Sequence, residues 1–403
     1  MKNPIKTHIL LGIVLVFSFA FITGCRSEEA SIQETETQNG QEAETQNVKD
    51  AEETRSDAVT FPVYEDDEFH SACIDMEADE FNSYGFALGD SCDIEFSNGK
   101  KLEGIPYYNG YYGRTNEPVI VAYPNISHID IAYCAGDMMW QKMECHEGDT
   151  VKISVVEKGK FLNVQNTMSM VYSNDRADFS DDAAFANFRA MSGGDMSPDT
   201  FYRGVSPFNN KMNRAGTAND LLSDHGIRFI LNLADNDEKL NGYFESEGFT
   251  SEYAKKLYEG GNVSPLCLST SYRADMFKTS LANGLREMMD SEGPYYIHCL
   301  EGKDRTGFVC MLLEALSGAS AQEMEQDYMM TYANYYGVTK ESDPEKYETI
   351  VDVKFSDMLD YLGILSGDSG KSTDDYKEGA RQYLLDAGMT AQEVDELTLL
   401  LTR

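Results

Sequence analysis

Four textures of hydrophobic and polar positions succeed one another along the chain. Residues 7–25 form an apolar run without a single Asp, Glu, Lys or Arg, preceded by Lys2 and Lys6. From Arg26 to about Thr60 large apolar side chains almost vanish among Glu, Gln, Thr, Asn and Ser, and such a segment cannot bury enough surface to offset its ordering entropy. Short alternating or β-rich runs then recur at residues 92–96, 118–122, 128–133 and 151–156, separated by turn residues such as Ser97-Asn98-Gly99-Lys100. After residue 168 apolar strand-like runs such as Tyr295-Tyr296-Ile297 mix with helical stretches. Ser320 with Glu323 and Thr390 with Glu393 are capping-box patterns ahead of helices at 324–332 and 394–401.

These textures divide the chain into an export signal (1–24), a solvated acidic tether (25–60), a small β domain (61–167) and a layered α/β domain (168–403). A basic start and an apolar run read as a signal, although 19 uncharged residues also just span a bilayer as an uncleaved anchor. Phe21-Ile22-Thr23-Gly24-Cys25 resembles the lipobox of bacterial lipoprotein signals. That resemblance implies cleavage before Cys25, lipid on its thiol, and a chain anchored to the cell membrane outside the cytoplasm.

Charge changes the picture further. There are 69 acidic residues against 33 basic ones, a formal charge of −36, with an apolar fraction of 41 % that can build cores. The tether holds ten acids and three bases, so most of the excess lies in the folded parts. A field of this sign disfavours adhesion to nucleic acid, so no nucleic-acid partner is expected.

In the β domain, Ile129-Asp130-Ile131-Ala132, Gly136 and Gly148-Asp149 resemble the C-terminal β-barrel of the S-adenosylmethionine hydroxide adenosyltransferases, which implies a barrel-like fold and carries no activity. Tyr107, Tyr108, Tyr111 and Tyr112 read as strand and packing residues, with a recognition patch as the alternative. Cys73, Cys92, Cys134 and Cys145 read as buried free thiols, with disulfides as the alternative in an exported domain. No zinc site is expected, because no Cys-x-x-Cys pair exists and His146 is the histidine near them in sequence.

Candidate chemistry concentrates at residues 298–307, His-Cys-Leu-Glu-Gly-Lys-Asp-Arg-Thr-Gly, between a buried strand (295–297) and a buried helix (308–316). A strand, a loop and a helix N-terminus make an anion site, because successive N–H groups and the helix dipole point into the loop. The same field favours a thiolate at Cys299, a nucleophile. Arg305 offers a planar fork for two phosphate oxygens. Gly302 permits the tight turn, Thr306 offers a hydroxyl to the sulfur, and His298 orients the loop through hydrogen bonds. Leu300, Glu301, Gly302 and Lys303 complete the cradle. The chemistry is in-line attack on a phosphate monoester, then hydrolysis of a phosphocysteine, with no metal or cofactor.

The loop resembles that of the cysteine-dependent protein tyrosine phosphatases. More narrowly, the chain is similar to their bacterial secreted members of dual or broad specificity. Their opening motif appears as Asn187-Phe188-Arg189 with Gly193-Gly194, their Tyr-Arg element as Tyr202-Arg203, their Gly-Ile-Arg strand at 226–233, and their Asp-Tyr pair as Asp327-Tyr328. The resemblance implies a central sheet flanked by helices and a phosphorylated protein or peptide substrate.

The only tryptophan is Trp140, so the Trp-Pro-Asp acid loop of many relatives is absent. Asp304 is the first candidate general acid, although Lys303 and Arg305 beside it favour its ionised form. Asp235 and Asp237 are the alternatives, with solvated turn carboxylates as the plain reading. Arg203 is a candidate second phosphate contact or else a structural ion pair, and Glu301 stands where alanine is usual in the family. A phosphoinositide or inositol-phosphate phosphatase, suggested by Lys303, is the second enzymatic reading. A catalytically silent surface-anchored binding protein is the reading from a different class.

Overall fold

The structure, a computed structural model, describes residues 58–67, 69–124, 126–367 and 371–403. The expected signal, nearly all of the tether, and Cys25 lie outside the described residues.

Eight strands make the first sheet: β1 (Val59–Pro62), β2 (Tyr64–Glu65), β3 (Ala72–Ile74), β4 (Ser91–Phe96), β5 (Lys101–Tyr108), β6 (Pro118–Val121), β7 (Ile129–Tyr133) and β8 (Thr150–Glu157). Their order is β1-β8-β4-β5-β6-β7-β3-β2, antiparallel except where β5 meets β6. β1 and β2 are opposite edges, yet only Val63 separates them in the chain, so the sheet has to curl until its edges approach. One core fills the curl. In β8, Val151, Ile153 and Val155 point into it while Lys152 points out, the period-two pattern of a half-buried strand. All four runs predicted from alternation coincide with strands to within one residue. Cys73, Cys92, Cys134 and Cys145 are buried free thiols.

Five strands make the second sheet: β9 (Arg189–Ala190), β10 (Phe201–Gly204), β11 (Phe229–Asn232), β12 (Val263–Pro265) and β13 (Tyr295–His298). The order is β12-β11-β13-β10-β9, parallel apart from the short edge strand β9. β13 is central and every residue in it is buried, which is why it reads as an unbroken apolar run. Tyr295 and Ile297 face a core built with the helices Asp275–Met289 and Asp304–Leu316. Tyr296 faces the opposite core, under the helices Ala215–Asp224, Asp237–Phe244 and Glu252–Glu259. Both predicted capping boxes form, at Ser320 and Thr390. In the last helix, Leu397 and Leu401 dock on the core, whereas Leu399 is exposed.

Polar contacts join the two parts. Arg114 of the β domain pairs with Asp352 and Asp360. Thr115 donates its N–H and its hydroxyl to Asp357, which also accepts from Tyr272 and Arg273. Asn163 donates to Thr349 at 2.9 Å. No helix among the described residues is long and apolar enough to cross a membrane.

Candidate active site

β13 ends at His298, and the helix behind it begins at Asp304, four residues earlier than the apolar pattern suggests. Residues 299–303 therefore form the whole turn, while Asp304, Arg305 and Thr306 already belong to the first helical turn, at its positive end. Cys299 stands at the carboxyl end of the central strand, where ligands bind in open parallel sheets. It is 3 % exposed.

The turn is pinned from below. Gly302 has φ +68°, and an added Cβ would collide with the carbonyl of Gly204 at the end of β10. Its own carbonyl accepts from Arg203 at 3.1 Å and from the Asn187 side-chain amide at 3.3 Å. Tyr335 donates to the carbonyl of Glu301 at 2.7 Å. His298 is buried, and its Nδ1 donates to the carbonyl of Cys299 at 2.9 Å. Burial pushes this imidazole down to about 4, so it is neutral.

A buried ion network underlies these bonds. Asp327 bridges Arg189 and Arg203, with Arg189 Nε 2.7 Å from one carboxylate oxygen. Against the desolvation of burial, the two guanidinium groups hold the Asp327 carboxyl down at about 2. Burial, with Asp327 alongside, pushes the Glu314 carboxyl well above the usual range. Arg189 also donates to Asn187 Oδ1 at 2.8 Å, and Phe188 between them stacks on Tyr202 and Tyr296. The motif 187–189 is thus the loop's undercarriage.

Of the two readings of Arg203, the structural ion pair is present: the side chain is 1 % exposed, pairs with Asp327 and donates to the Gly302 carbonyl beneath the loop. Glu301, expected as a cradle residue, turns to Lys303 at 2.8 Å and accepts from Tyr172 at 2.8 Å. Lys303 Nζ also lies 3.9 Å from Asp304. Leu300 packs at the edge of the second core.

Arg305 Nη1 donates to the carbonyl of Leu268 at 3.0 Å, and its guanidinium makes no other hydrogen bond among the described residues. The Thr306 hydroxyl is buried with no partner among them.

Lys303, Asp304 and Arg305 line a cavity of about 720 Å³ between the two domains. That volume suits a small ligand or a side chain with its flanking groups. Tyr272, Tyr328, Tyr332 and Tyr336 come from the loop's own domain, and Tyr111, Tyr112 and Tyr123 from the β domain. The tyrosine cluster therefore divides: Tyr107 and Tyr108 are buried in β5, while Tyr111 and Tyr112 form a wall of the cleft. Nothing local in the sequence signals which of these tyrosines meets the other domain.

Of the candidate acids, Asp304 lines the cleft and its side chain is 51 % exposed. Asp235 is buried and accepts from Asn232 and Tyr243, each at 3.1 Å. Asp237 opens the helix Asp237–Phe244 and accepts from Tyr258 at 2.8 Å. Neither Asp235 nor Asp237 lines the cavity.

No curated protein matches the chain. Residues 185–403, more than half of its length and all of the loop with its supports, match the sequence model of the tyrosine phosphatase family. The chain belongs to that family, and its second domain is a phosphatase domain.

Proposed function

We propose that this phosphatase hydrolyses phosphomonoesters through a phosphocysteine, with phosphotyrosine as its main substrate and tolerance for other esters. Cys299 Sγ attacks phosphorus as the bond to the leaving oxygen breaks, and Asp304 gives that oxygen a proton. Water then attacks phosphorus, Asp304 takes a proton back, and the S–P bond breaks to release inorganic phosphate. Arg305 and the N–H groups of the loop stabilise charge on the equatorial oxygens, while the Thr306 hydroxyl assists the departing sulfur.

The observation that carries this reading is the loop itself. Cys299 opens a turn that a glycine without room for Cβ holds against β10, and Arg305 lies in the first turn of the helix that follows it. Vanadate-sensitive hydrolysis of a phenyl phosphate, surviving chelation and abolished in Cys299→Ser, is the test. Hydrolysis retained in that variant overturns the mechanism.

Substrate preference follows from charge and lining. Glu301 pairs with Lys303, the extra cation of the loop, and the chain is acidic, so polyanions such as phytate find little net attraction. A tyrosine-lined cleft suits a singly phosphorylated aromatic side chain on a protein or peptide. The competing reading is a phosphoinositide or inositol-phosphate substrate. Rates on phosphotyrosine peptide, phosphoinositide and phytate, compared side by side, separate the two. The lipobox-like run ending at Cys25 supports a lipid-anchored, extracytoplasmic location, checked by metabolic labelling with a fatty-acid probe in the chain and in Cys25→Ala.

A further inference from the structure

Away from the phosphatase loop, the β domain brings three metal-binding side chains together. Cys73 on β3 lies opposite Asp130 on β7 in the antiparallel ladder. His128 precedes Asp130 by two residues, which sets it on the same side. Cys73 Sγ is 3.0 Å from Asp130 Oδ1, and His128 Nε2 is 3.3 Å from that same oxygen. All three ligand atoms lie within 4.8 Å of one another. The two separations to Asp130 Oδ1 match those between neighbouring ligands around Zn²⁺, whose bonds to sulfur, nitrogen and oxygen are about 2–2.3 Å.

We infer that Cys73, His128 and Asp130 form a zinc site. Thiolate and imidazole select a zinc-type ion over Ca²⁺ or Mg²⁺, which take oxygen ligands. As the ion arrives, the Cys73 S–H bond breaks, a sulfur–zinc bond forms, and the proton leaves to solvent. Asp130 is already oriented, because the Tyr111 hydroxyl donates to Oδ2 at 3.0 Å and leaves Oδ1 for the metal. Cys73 is fully buried, while the His128 and Asp130 side chains are 29 % and 13 % exposed, which gives the ion an entry path. A water completes the tetrahedron. The ion ties β3 to β7 at the short-stranded end of the sheet, and through Asp130 it fixes Tyr111, a residue of the cleft wall. Its role is structural and separate from the chemistry at Cys299.

The full chain, stripped by a chelator, is titrated with Co²⁺ and then Zn²⁺. One Co²⁺ binds per chain with a thiolate-to-cobalt charge-transfer band, Zn²⁺ displaces it, and saturating Zn²⁺ raises Tm by at least about 3 °C. The band persists in Cys299→Ser and is lost in Cys73→Ser. It is also lost in His128→Ala, a change at a partly exposed position that keeps phenyl phosphate hydrolysis as a check of folding. No band in the unmodified chain, or a band retained in folded His128→Ala, means a hydrogen-bonded triad only and overturns the site.

Discussion

His298 donates from Nδ1 to the carbonyl of its neighbour Cys299, which leaves Nε2 as a buried lone pair without a partner among the described residues. A proton there is strongly disfavoured, since burial pushes the imidazole from 6.5 down to about 4. Above pH 6.5 folded and unfolded chains are both neutral at this position, and its contribution to stability is fully present. Between pH 6.5 and 4 the unfolded chain takes up a proton that the folded chain refuses, so stability falls as acid is added. The loss approaches about 3 kcal/mol at pH 4. Urea unfolding from pH 7 to 4 measures it, and His298→Gln flattens that limb. An unchanged slope in the variant contradicts the assignment.

Asp327 holds two buried arginines in place. Asp327→Asn leaves Arg189 and Arg203 without their carboxylate and destabilises the domain by about 3–5 kcal/mol, read by denaturant titration. Because Arg203 also holds the Gly302 carbonyl, kcat falls as well. A loss below about 1 kcal/mol shows that the network is dispensable.

Gly302→Ala tests the seat of the loop. A Cβ at φ +68° is strained and meets the Gly204 carbonyl, so the turn lifts off β10. A displacement of about 1 Å lowers kcat/KM by about 100-fold. Steady-state kinetics on a phenyl phosphate, with far-ultraviolet circular dichroism to show that the fold persists, decides it.

Asp304→Asn removes the proposed proton donor. Turnover of alkyl phosphates, whose leaving oxygen needs the proton most, falls by roughly 10²–10⁴, and esters with good leaving groups lose less. Normal turnover of alkyl phosphates by the variant rules Asp304 out.

Tyr112→Ala opens the wall supplied by the β domain. Loss of one aromatic contact of about 0.5–1.5 kcal/mol raises KM for aryl phosphates by about 2- to 10-fold while kcat holds. Parallel kinetics on an alkyl phosphate, for which KM changes less, show that the ring recognises the aromatic group.

The phosphatase loop was legible because its chemistry is local: nucleophile, turn glycine, arginine and helix start lie within ten residues. What supports it was legible only as motif letters. Arg203 bonds a carbonyl 99 residues away, and Arg189 a carboxylate 138 residues away, so the direction of either side chain depends on the packed sheet. The partner that Glu301 finds in Tyr172 was illegible for the same reason, since the two lie 129 residues apart. β5 escaped the alternation because Gly104 and Pro106 interrupt it. The ladder bulges there, and the Gly104 N–H donates to Asp93 at 2.9 Å. Cys73 and Asp130, of the proposed zinc site, follow the same logic, being neighbours across a ladder and 57 residues apart along the chain.

Asp357 belongs to the phosphatase-domain helix Ser356–Leu365, yet Thr115 of the β domain gives it two hydrogen bonds while Tyr272 and Arg273 give it others. Two domains that share one carboxylate cannot melt independently without stranding it among donors that have lost their geometry. Calorimetry of the intact chain should therefore record one cooperative transition where two domains alone suggest two. Asp357→Ala should split it, because the β domain is then free to loosen before its neighbour. The wall of the cleft would be lost at the lower of the two temperatures, while the phosphatase core was still folded.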